Sequence, residues 1–215
     1  MKQSAVDPVS DPGKGATLAF IRLGAGIPLV FFLTTVVCGL LLGDYNHLTR
    51  MVSELGAIGT RPRGLFSAGL LVCAILSLLF VVGLRRACRA IGISDIPALI
   101  ILAYSVSIAG AGLFPLPLRL HLILGTPSVL LILSPAMSLL LWRKARGLPH
   151  IVAMSLVALG LMSLGFLAFA PGVLSGYPGL KQRFFHVGWS VWFLCLSWSF
   201  ARAYGHRGEA GAGDA

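Results

Sequence analysis

Charged side chains are scarce in this chain of 215 residues. Asp, Glu, Lys and Arg together make up 11% of it, whereas hydrophobic residues make up 57%. Soluble domains carry about 25% charged residues, so this chain has too few charges to cover a surface that faces water. The composition therefore predicts an integral membrane protein, and the length suits one compact domain.

The familiar signatures of several enzyme and transporter classes are also missing. There is no GxSxG nucleophile elbow, no HExxH zinc motif and no Walker loop. Four cysteines occur without a CxxC pair, which indicates small buried side chains rather than a disulfide framework or a zinc ribbon. The second to sixth apolar runs carry essentially no charge at mid-depth, which disfavours a proton-coupled carrier.

The charges that remain are mostly basic, with 17 Lys and Arg against seven Asp and Glu. They lie at the ends of apolar runs, where they contact lipid headgroups, so we expect no nucleic-acid partner. Eleven of the 17 fall on one side of the predicted membrane and six on the other. Cytoplasmic loops carry the excess of Lys and Arg. This predicts a cell (inner) membrane protein with both termini in the cytoplasm.

Six apolar runs are long enough to cross a bilayer, which takes about 20 residues in a helix. They predict an all-α polytopic bundle with spans at 21–43, 64–84, 96–114, 121–142, 151–170 and 184–204. We expect a disordered cytoplasmic tail at 1–18, a transmembrane domain at 19–205 and a cytoplasmic tail at 206–215. Gly39 and Gly43 form a small-xxx-small pair, which favours close helix approach.

The connection after the first span, residues 44–63, is longer than a hairpin turn needs. If it is helical, Tyr45, Leu48, Val52 and Leu55 share an apolar face. A second face then carries His47, Arg50 and Glu54. The pattern predicts an amphipathic helix at the membrane surface or in the mouth of the bundle. The polar face then points either to solvent or toward a site.

Two more histidines, His121 and His186, open the fourth and sixth spans at the same predicted depth as Ser53 and Glu54. An ionisable group at that depth usually has a partner or a function. No two histidines have the close spacing typical of a zinc site, so we expect no metal. A haem between His121 and His186 is conceivable, but both lie at the same end of their helices, and no cofactor is expected.

The outward connections also carry basic residues that match phosphate or carboxylate geometry. Either these arginines hold a lipid headgroup or they only reach the interface. Aromatic residues, Phe114, Tyr177, Phe184, Phe185 and Trp189, would supply walls at the interface. The predicted ligand-binding residues are His47, Ser53, Arg61, Arg63, Arg119, Gln182, Arg183 and His186.

Three short motifs resemble a known family. They are Ser53-Glu54-Leu55-Gly56 after the first span, Phe114-Pro115 before His121, and Gly179-x-x-Gln182-Arg183 at the start of the last span. Together they resemble the bacterial six-helix membrane proteins of domain-of-unknown-function family 998, over about residues 21–204. Where a polar or acidic residue often follows Phe-Pro in that family, this chain has Leu116. The resemblance implies six helices but no established activity, and its broader kin, tied to lipid-anchor remodelling, suggest a lipid only by analogy.

Three functions follow from these observations. The first is binding or handling of a lipid or another amphipathic ligand at an outward polar mouth. The second is a membrane-embedded hydrolase or transferase, with Glu54 or His121 as general base and Arg183 or Arg63 stabilising an anion. The third is a non-catalytic accessory or assembly subunit. Convergence of Glu54, His121 and Arg183, which we predict from their shared depth, would favour the first two, and separate positions facing lipid or water would favour the third. Membrane lipids are the expected partners, while a protein partner or a homo-oligomer is left open.

Overall fold

The structure, a computed structural model, describes residues 13–145 and 147–206. This described part contains only helices and the connections between them. The α-helices are α1 (Lys14–Leu42), α2 (Arg63–Ile91), α3 (Ile96–Leu113), α4 (Arg119–Gly125), α5 (Leu133–Leu141), α6 (Ile151–Gly165) and α7 (Pro178–His206). Short 3-10 segments lie at Val52–Gly56, Thr126–Ile132 and Phe166–Phe169.

These elements form six helices long and apolar enough to cross a membrane, so the predicted all-α six-span bundle is confirmed. The fourth span, Arg119–Leu141, is composite, because a 3-10 segment joins α4 to α5. The fifth span, Ile151–Phe169, likewise ends α6 with a 3-10 turn. Both irregular stretches lie toward the same end of the bundle, where they border the site described below.

The predicted tail boundary at residue 18 is too late, because α1 already begins at Lys14. Thr17 is buried in the bundle, and the Lys14 ammonium donates a hydrogen bond of 3.0 Å to the carbonyl oxygen of Gly205. This bond brings the two ends of the described chain to the same side of the bundle, called here the terminal face. Helix α7 is described as far as His206. The rest of both predicted tails lies outside the described residues.

The core runs along α7, which packs against α1 and α6. Its large side chains Trp189, Trp192, Phe193 and Phe200 are almost completely buried. Serine hydroxyls link the other helices: Ser77 on α2 donates to the hydroxyl of Ser105 on α3 over 2.7 Å. Buried hydroxyls need such partners, so these serines tie neighbouring spans together in an otherwise apolar interior.

The small-residue pair on α1 acts differently from the prediction. Gly43, at φ 80°, ends the helix, and its N–H donates to the carbonyl oxygen of Gly39. A Cβ on Gly39 would come within 2.9 Å of the His47 Nε2 atom. Gly39 therefore makes room for the connection that folds back over α1, rather than for a second helix.

The amphipathic helix predicted over residues 45–55 does not form. Asn46 accepts a hydrogen bond at Oδ1 from the Leu48 N–H over 2.8 Å, which holds this stretch in a turn. Such local side-chain bonds compete with helix formation. Only Val52–Gly56 adopts a 3-10 turn. The predicted apolar face is split, because Val52 is buried whereas Leu48 is 47% exposed.

Candidate functional site

Arg183 holds the first connection against α7. Its Nη1 donates to the carbonyl oxygens of Arg50 and Gly179, over 3.2 and 3.0 Å. Its Nη2 lies 3.0 Å from the Tyr45 hydroxyl and 2.9 Å from His47 Nδ1. One guanidinium therefore contacts four groups of the protein itself. We call the set Tyr45, His47, Arg50, Glu54 and Arg183 the arginine network.

Glu54 is fully engaged in this network. Its Oε2 accepts from Arg50 Nε over 2.8 Å, and its Oε1 accepts from the Met51 N–H over 2.8 Å. Arg50 also lies 3.3 Å from the Asp44 carboxylate. Both oxygens of Glu54 thus have donors, so the carboxylate helps to shape the connection. The catalytic role of Glu54 stays a prediction.

The contacts within the arginine network shift the pKa values of three of its side chains. The hydrogen bond that Arg50 donates to Glu54 raises the pKa of Arg50. Burial, and then the nearby Arg183 charge, lowers the pKa of His47 below 6.5, so this ring is neutral at pH 7. Burial raises the pKa of Tyr45. Arg50 therefore faces both carboxylates, of Asp44 and Glu54, whereas the contacts of Arg183 are all with neutral groups of the protein.

The motif after the first span packs against the motif at the start of α7. Gln182 accepts a hydrogen bond at Oε1 from the Val52 N–H over 2.8 Å. A Cβ on Gly179 would collide with the carbonyl oxygen of Arg50 and lie 2.7 Å from that of His47. The Ile58 N–H also donates to the Leu116 carbonyl oxygen over 2.8 Å. The three sequence motifs therefore meet at one end of the bundle, called here the loop face.

Beneath the docked connection lies a cavity of about 410 Å³. All six spans and the first connection contribute to its wall, which is mostly apolar. No residue among the described ones that line it carries a formal charge. Four of the predicted site residues line this cavity: Ser53, His121, Gln182 and His186.

His121 is held in one orientation. Its Nδ1 lies 2.8 Å from the carbonyl oxygen of Phe114, the residue that opens the second motif. A carbonyl only accepts, so in the neutral ring Nδ1 carries the proton and Nε2 is the acceptor. The side chain is 8% exposed. The Nε2 atom of His121, a residue of the cavity wall, is thus a free hydrogen-bond acceptor in the described chain.

Two other polar atoms of the cavity wall are buried without a hydrogen-bond partner in the described part of the chain: Tyr104 Oη and His186 Nδ1. Tyr104 is only 3% exposed. Both rings pack near Trp189, with centroid distances of 4.9 Å for Tyr104 and 6.4 Å for His186. A buried polar atom without a partner is costly, so this pair marks the part of the cavity with unused hydrogen-bonding capacity.

The cavity wall includes exposed residues of the fourth and fifth spans. Helix α4 packs on α3, but it has no extensive contact with α6 or α7 in the described residues. Leu122 and Phe169 line the cavity from the two sides of this gap, and they are 65% and 70% exposed. Both residues lie on candidate membrane spans.

The structure does not bring the other predicted residues into this site. Arg61, Arg63 and Arg119 are exposed, and their side chains make no hydrogen bond or ion pair with any described residue. The predicted convergence is partial: Glu54 and Arg183 both contact Arg50, whereas His121 lies in the cavity wall with a separate partner. Nowhere in residues 13–145 and 147–206 do three His, Cys, Asp or Glu side chains come together in a metal-binding arrangement.

The sequence does not identify Tyr104 as a residue of the site, nor Tyr45 as a central member of the arginine network. Tyr104 was hidden in the apolar run of α3, although a tyrosine hydroxyl near mid-span is itself a signal, because it must find a partner there. Tyr45 had been assigned to an apolar helix face. Its hydroxyl instead lies 2.9 Å from the Met51 carbonyl oxygen and accepts from Arg183.

Six membrane spans around a ligand-sized cavity define a polytopic all-α membrane protein. A family model described as a protein of unknown function, DUF998, matches residues 25–199, which include all three motifs. Since this match covers most of the chain, the protein belongs to the DUF998 family. No curated protein and no solved structure matches the chain.

Proposed function

We propose that this protein binds an amphipathic molecule, such as a membrane lipid, in the cavity at the loop face. The observation that carries the proposal is the cavity itself, about 410 Å³ in volume, with an apolar wall and a few polar groups. Ligand sites are typically clefts of about 300–1,000 Å³ with this composition. The gap beside Leu122 and Phe169 supports entry from the bilayer.

The distribution of polarity supports an orientation for such a ligand. Ser53 and Gln182 belong to the docked connection and the start of α7, at the loop face. Leu122, Phe166 and Phe169 border the gap toward lipid. A bound molecule would place its polar end among the polar groups of the cavity wall and its hydrocarbon chain through the gap, which keeps apolar surface away from water.

Mass spectrometry of co-purified lipid tests the proposal. Gly125 lines the cavity, and a Cβ built on it meets no atom within 4 Å, so leucine there would take up cavity volume. We expect the native protein to retain a specific lipid that Gly125→Leu loses. Gly160→Leu is the matched control, since Gly160 is an exposed glycine of α6 with equally open surroundings.

The outcomes separate the functions. A lipid enriched over the bulk profile in the native protein and Gly160→Leu, but not in Gly125→Leu, supports binding in the cavity. The same bulk profile in all three proteins overturns the proposal and favours an accessory role. Affinity capture would then be used to find a protein partner.

Catalysis in the same cavity is a second candidate, favoured by the oriented ring of His121. Its Nδ1–H bond to Phe114 leaves Nε2 as the acceptor that a general base requires. We would incubate the protein with acyl and phosphoryl lipids and follow products by mass spectrometry. Turnover that falls by about 100-fold in His121→Gln would support a hydrolase or transferase, and no turnover in the native protein would oppose it.

We also propose that the terminal face lies in the cytoplasm and that the protein resides in the cell (inner) membrane. The basic residues Arg85, Arg86, Arg89, Arg143 and Arg202 at that end of the bundle support this orientation. A reporter fused after residue 215 would test it. Fluorescence of a protein that folds only in the cytoplasm is expected, and activity of a reporter that folds only outside would reverse the assignment.

A further inference from the structure

The charged groups nearest the cavity already have partners within the protein. Arg183 is bonded within the arginine network, and Arg50 pairs with Glu54 over 2.8 Å. The exposed Arg61, Arg63 and Arg119 do not line the cavity. A charged ligand group placed in the cavity would therefore meet no lining residue of opposite charge. Burying an unpaired charge costs much more than burying a neutral polar group.

The neutral groups, in contrast, have capacity left. Tyr104 Oη and His186 Nδ1 are buried without partners in the described chain. The His121 ring adds an acceptor at Nε2, since its Nδ1 faces the Phe114 carbonyl oxygen. The three residues supply at least one donor, the tyrosine O–H, and at least one acceptor. A ligand group that both donates and accepts would satisfy both kinds.

From this complementarity we infer that the cavity binds an uncharged, hydroxyl-bearing amphipathic molecule, with its hydroxyl among Tyr104, His121 and His186. The inference rests on the proposed function and names its ligand class. Long-chain alcohols and diacyl glycerols share this chemistry. Anionic phospholipids and cationic amphiphiles do not, because their charge would find no partner on the wall.

Quenching of tryptophan fluorescence can test the ligand class, since Trp189 lines the cavity. The purified protein in detergent is titrated with brominated alkyl chains of equal length that end in a hydroxyl, a sulfate, a trimethylammonium or a methyl group. Cavity binding is the quenching that disappears in Trp189→Phe. We expect the hydroxyl probe to bind about tenfold more tightly than the other three, a difference typical of one or two net hydrogen bonds.

Variants of the cavity wall then show which side chains bond the hydroxyl of the probe. Tyr104→Phe removes only the Oη atom, and His186→Leu removes the second unpartnered group. Each is expected to weaken the hydroxyl probe by about five- to tenfold and to leave the methyl probe unchanged. Tyr177→Phe is the control, because this exposed tyrosine does not line the cavity. It should alter neither probe.

Three results would count against the inference in different ways. If the sulfate or trimethylammonium probe binds as tightly as the hydroxyl probe, the inferred ligand class is wrong, although amphipathic binding stands. If hydroxyl and methyl probes bind equally and Tyr104→Phe changes neither, water satisfies the polar atoms and the inference fails. If no probe gives quenching that depends on Trp189, the proposed function fails with it.

Discussion

The arginine network and the cavity share the first connection and α7, yet they are built in opposite ways. In the network every charged group has a partner, as when Arg183 contacts Tyr45, His47 and two backbone oxygens. In the cavity no lining residue of the described chain is charged, and two polar atoms lack partners. The charges of the arginine network therefore serve structure, whereas neutral side chains of the cavity wall hold the unused hydrogen-bonding capacity.

The reason for this division is energetic. A charge taken out of water costs so much that it must be paired, whereas one unpartnered neutral hydroxyl costs about 1–3 kcal/mol. A protein can therefore keep a neutral group free for a ligand more easily than a charge. The network also serves the cavity indirectly, because it docks the connection that brings Val52 and Ser53 to the cavity wall.

The substitution with the largest expected effect on the arginine network is Arg183→Ala. The change removes four contacts and takes away one donor each from the Arg50 carbonyl oxygen and the Tyr45 hydroxyl oxygen. We expect a loss of about 3 kcal/mol in unfolding free energy, together with faster trypsin cleavage after Arg50. Chemical unfolding in detergent and timed proteolysis would measure the two effects.

Arg63→Ala is the control for that variant, since Arg63 is exposed and its side chain makes no polar contact with a described residue. Its unfolding free energy should change by less than about 0.5 kcal/mol. If Arg183→Ala is no more harmful than Arg63→Ala, the network does not hold the connection, and the structural role assigned here to the charges is wrong.

A smaller effect is expected from Gly179→Ala. The added Cβ would meet the backbone oxygens of Arg50 and His47, which are not free to move away. Overpacking of this kind costs about 1–3 kcal/mol. Gly176→Ala is the matched control, because nothing lies within 4 Å of a Cβ there. Equal unfolding midpoints for the two variants would show that the contact is looser than the structure describes.

The sequence predicted the fold better than the site, for a physical reason. Apolar runs reveal spans directly, because lipid imposes their length and composition, and all six are present. The ends were less accurate: α1 starts at Lys14 and α2 continues to Ile91, since polar residues at a helix end do not stop the helix. The conformation of residues 44–56 depended on Asn46, a turn-former whose effect periodicity does not show.

For the site, residue type shows which groups are polar but not which are already bonded. Ser53, His121, Gln182 and His186 line the cavity, and their role in binding stays a prediction. Arg183 and Glu54 were also selected, yet the structure uses them to dock a connection. Tyr104 was overlooked because it stands in an apolar helix. Only three-dimensional contacts distinguish a bonded polar group from a free one.

For the cavity wall, in contrast to the network, we predict a substitution that increases the unfolding free energy. In the unliganded protein Tyr104→Phe removes a buried hydroxyl that has no partner in the described chain. We expect an increase of about 1 kcal/mol in unfolding free energy. Addition of the hydroxyl-ended alkyl probe should reduce or reverse this difference, since only the native protein gains a bond. A destabilised Tyr104→Phe would mean that the hydroxyl is already satisfied.

The smallest expected effect is the dependence of the arginine network on pH through His47. Its pKa is lowered below 6.5 by burial and by Arg183, while the neighbouring Tyr45 has a raised pKa and stays neutral. As pH falls below 6.5, the unfolded state takes up a proton on this histidine before the folded state does. Stability must then decrease with falling pH. Neutral His47 Nδ1 can accept from Arg183, and the protonated ring cannot.

Unfolding free energies measured from pH 7.5 to 5 for the native protein and for His47→Asn would isolate this contribution. The native protein should lose more stability than the variant over the interval, although other titrating groups contribute equally to both. Trypsin cleavage after Arg50 should accelerate in parallel, because the same ring helps to hold the connection to α7. Identical pH profiles would show that His47 titrates alike in both states, and that the network depends on Arg183 without the neutral imidazole.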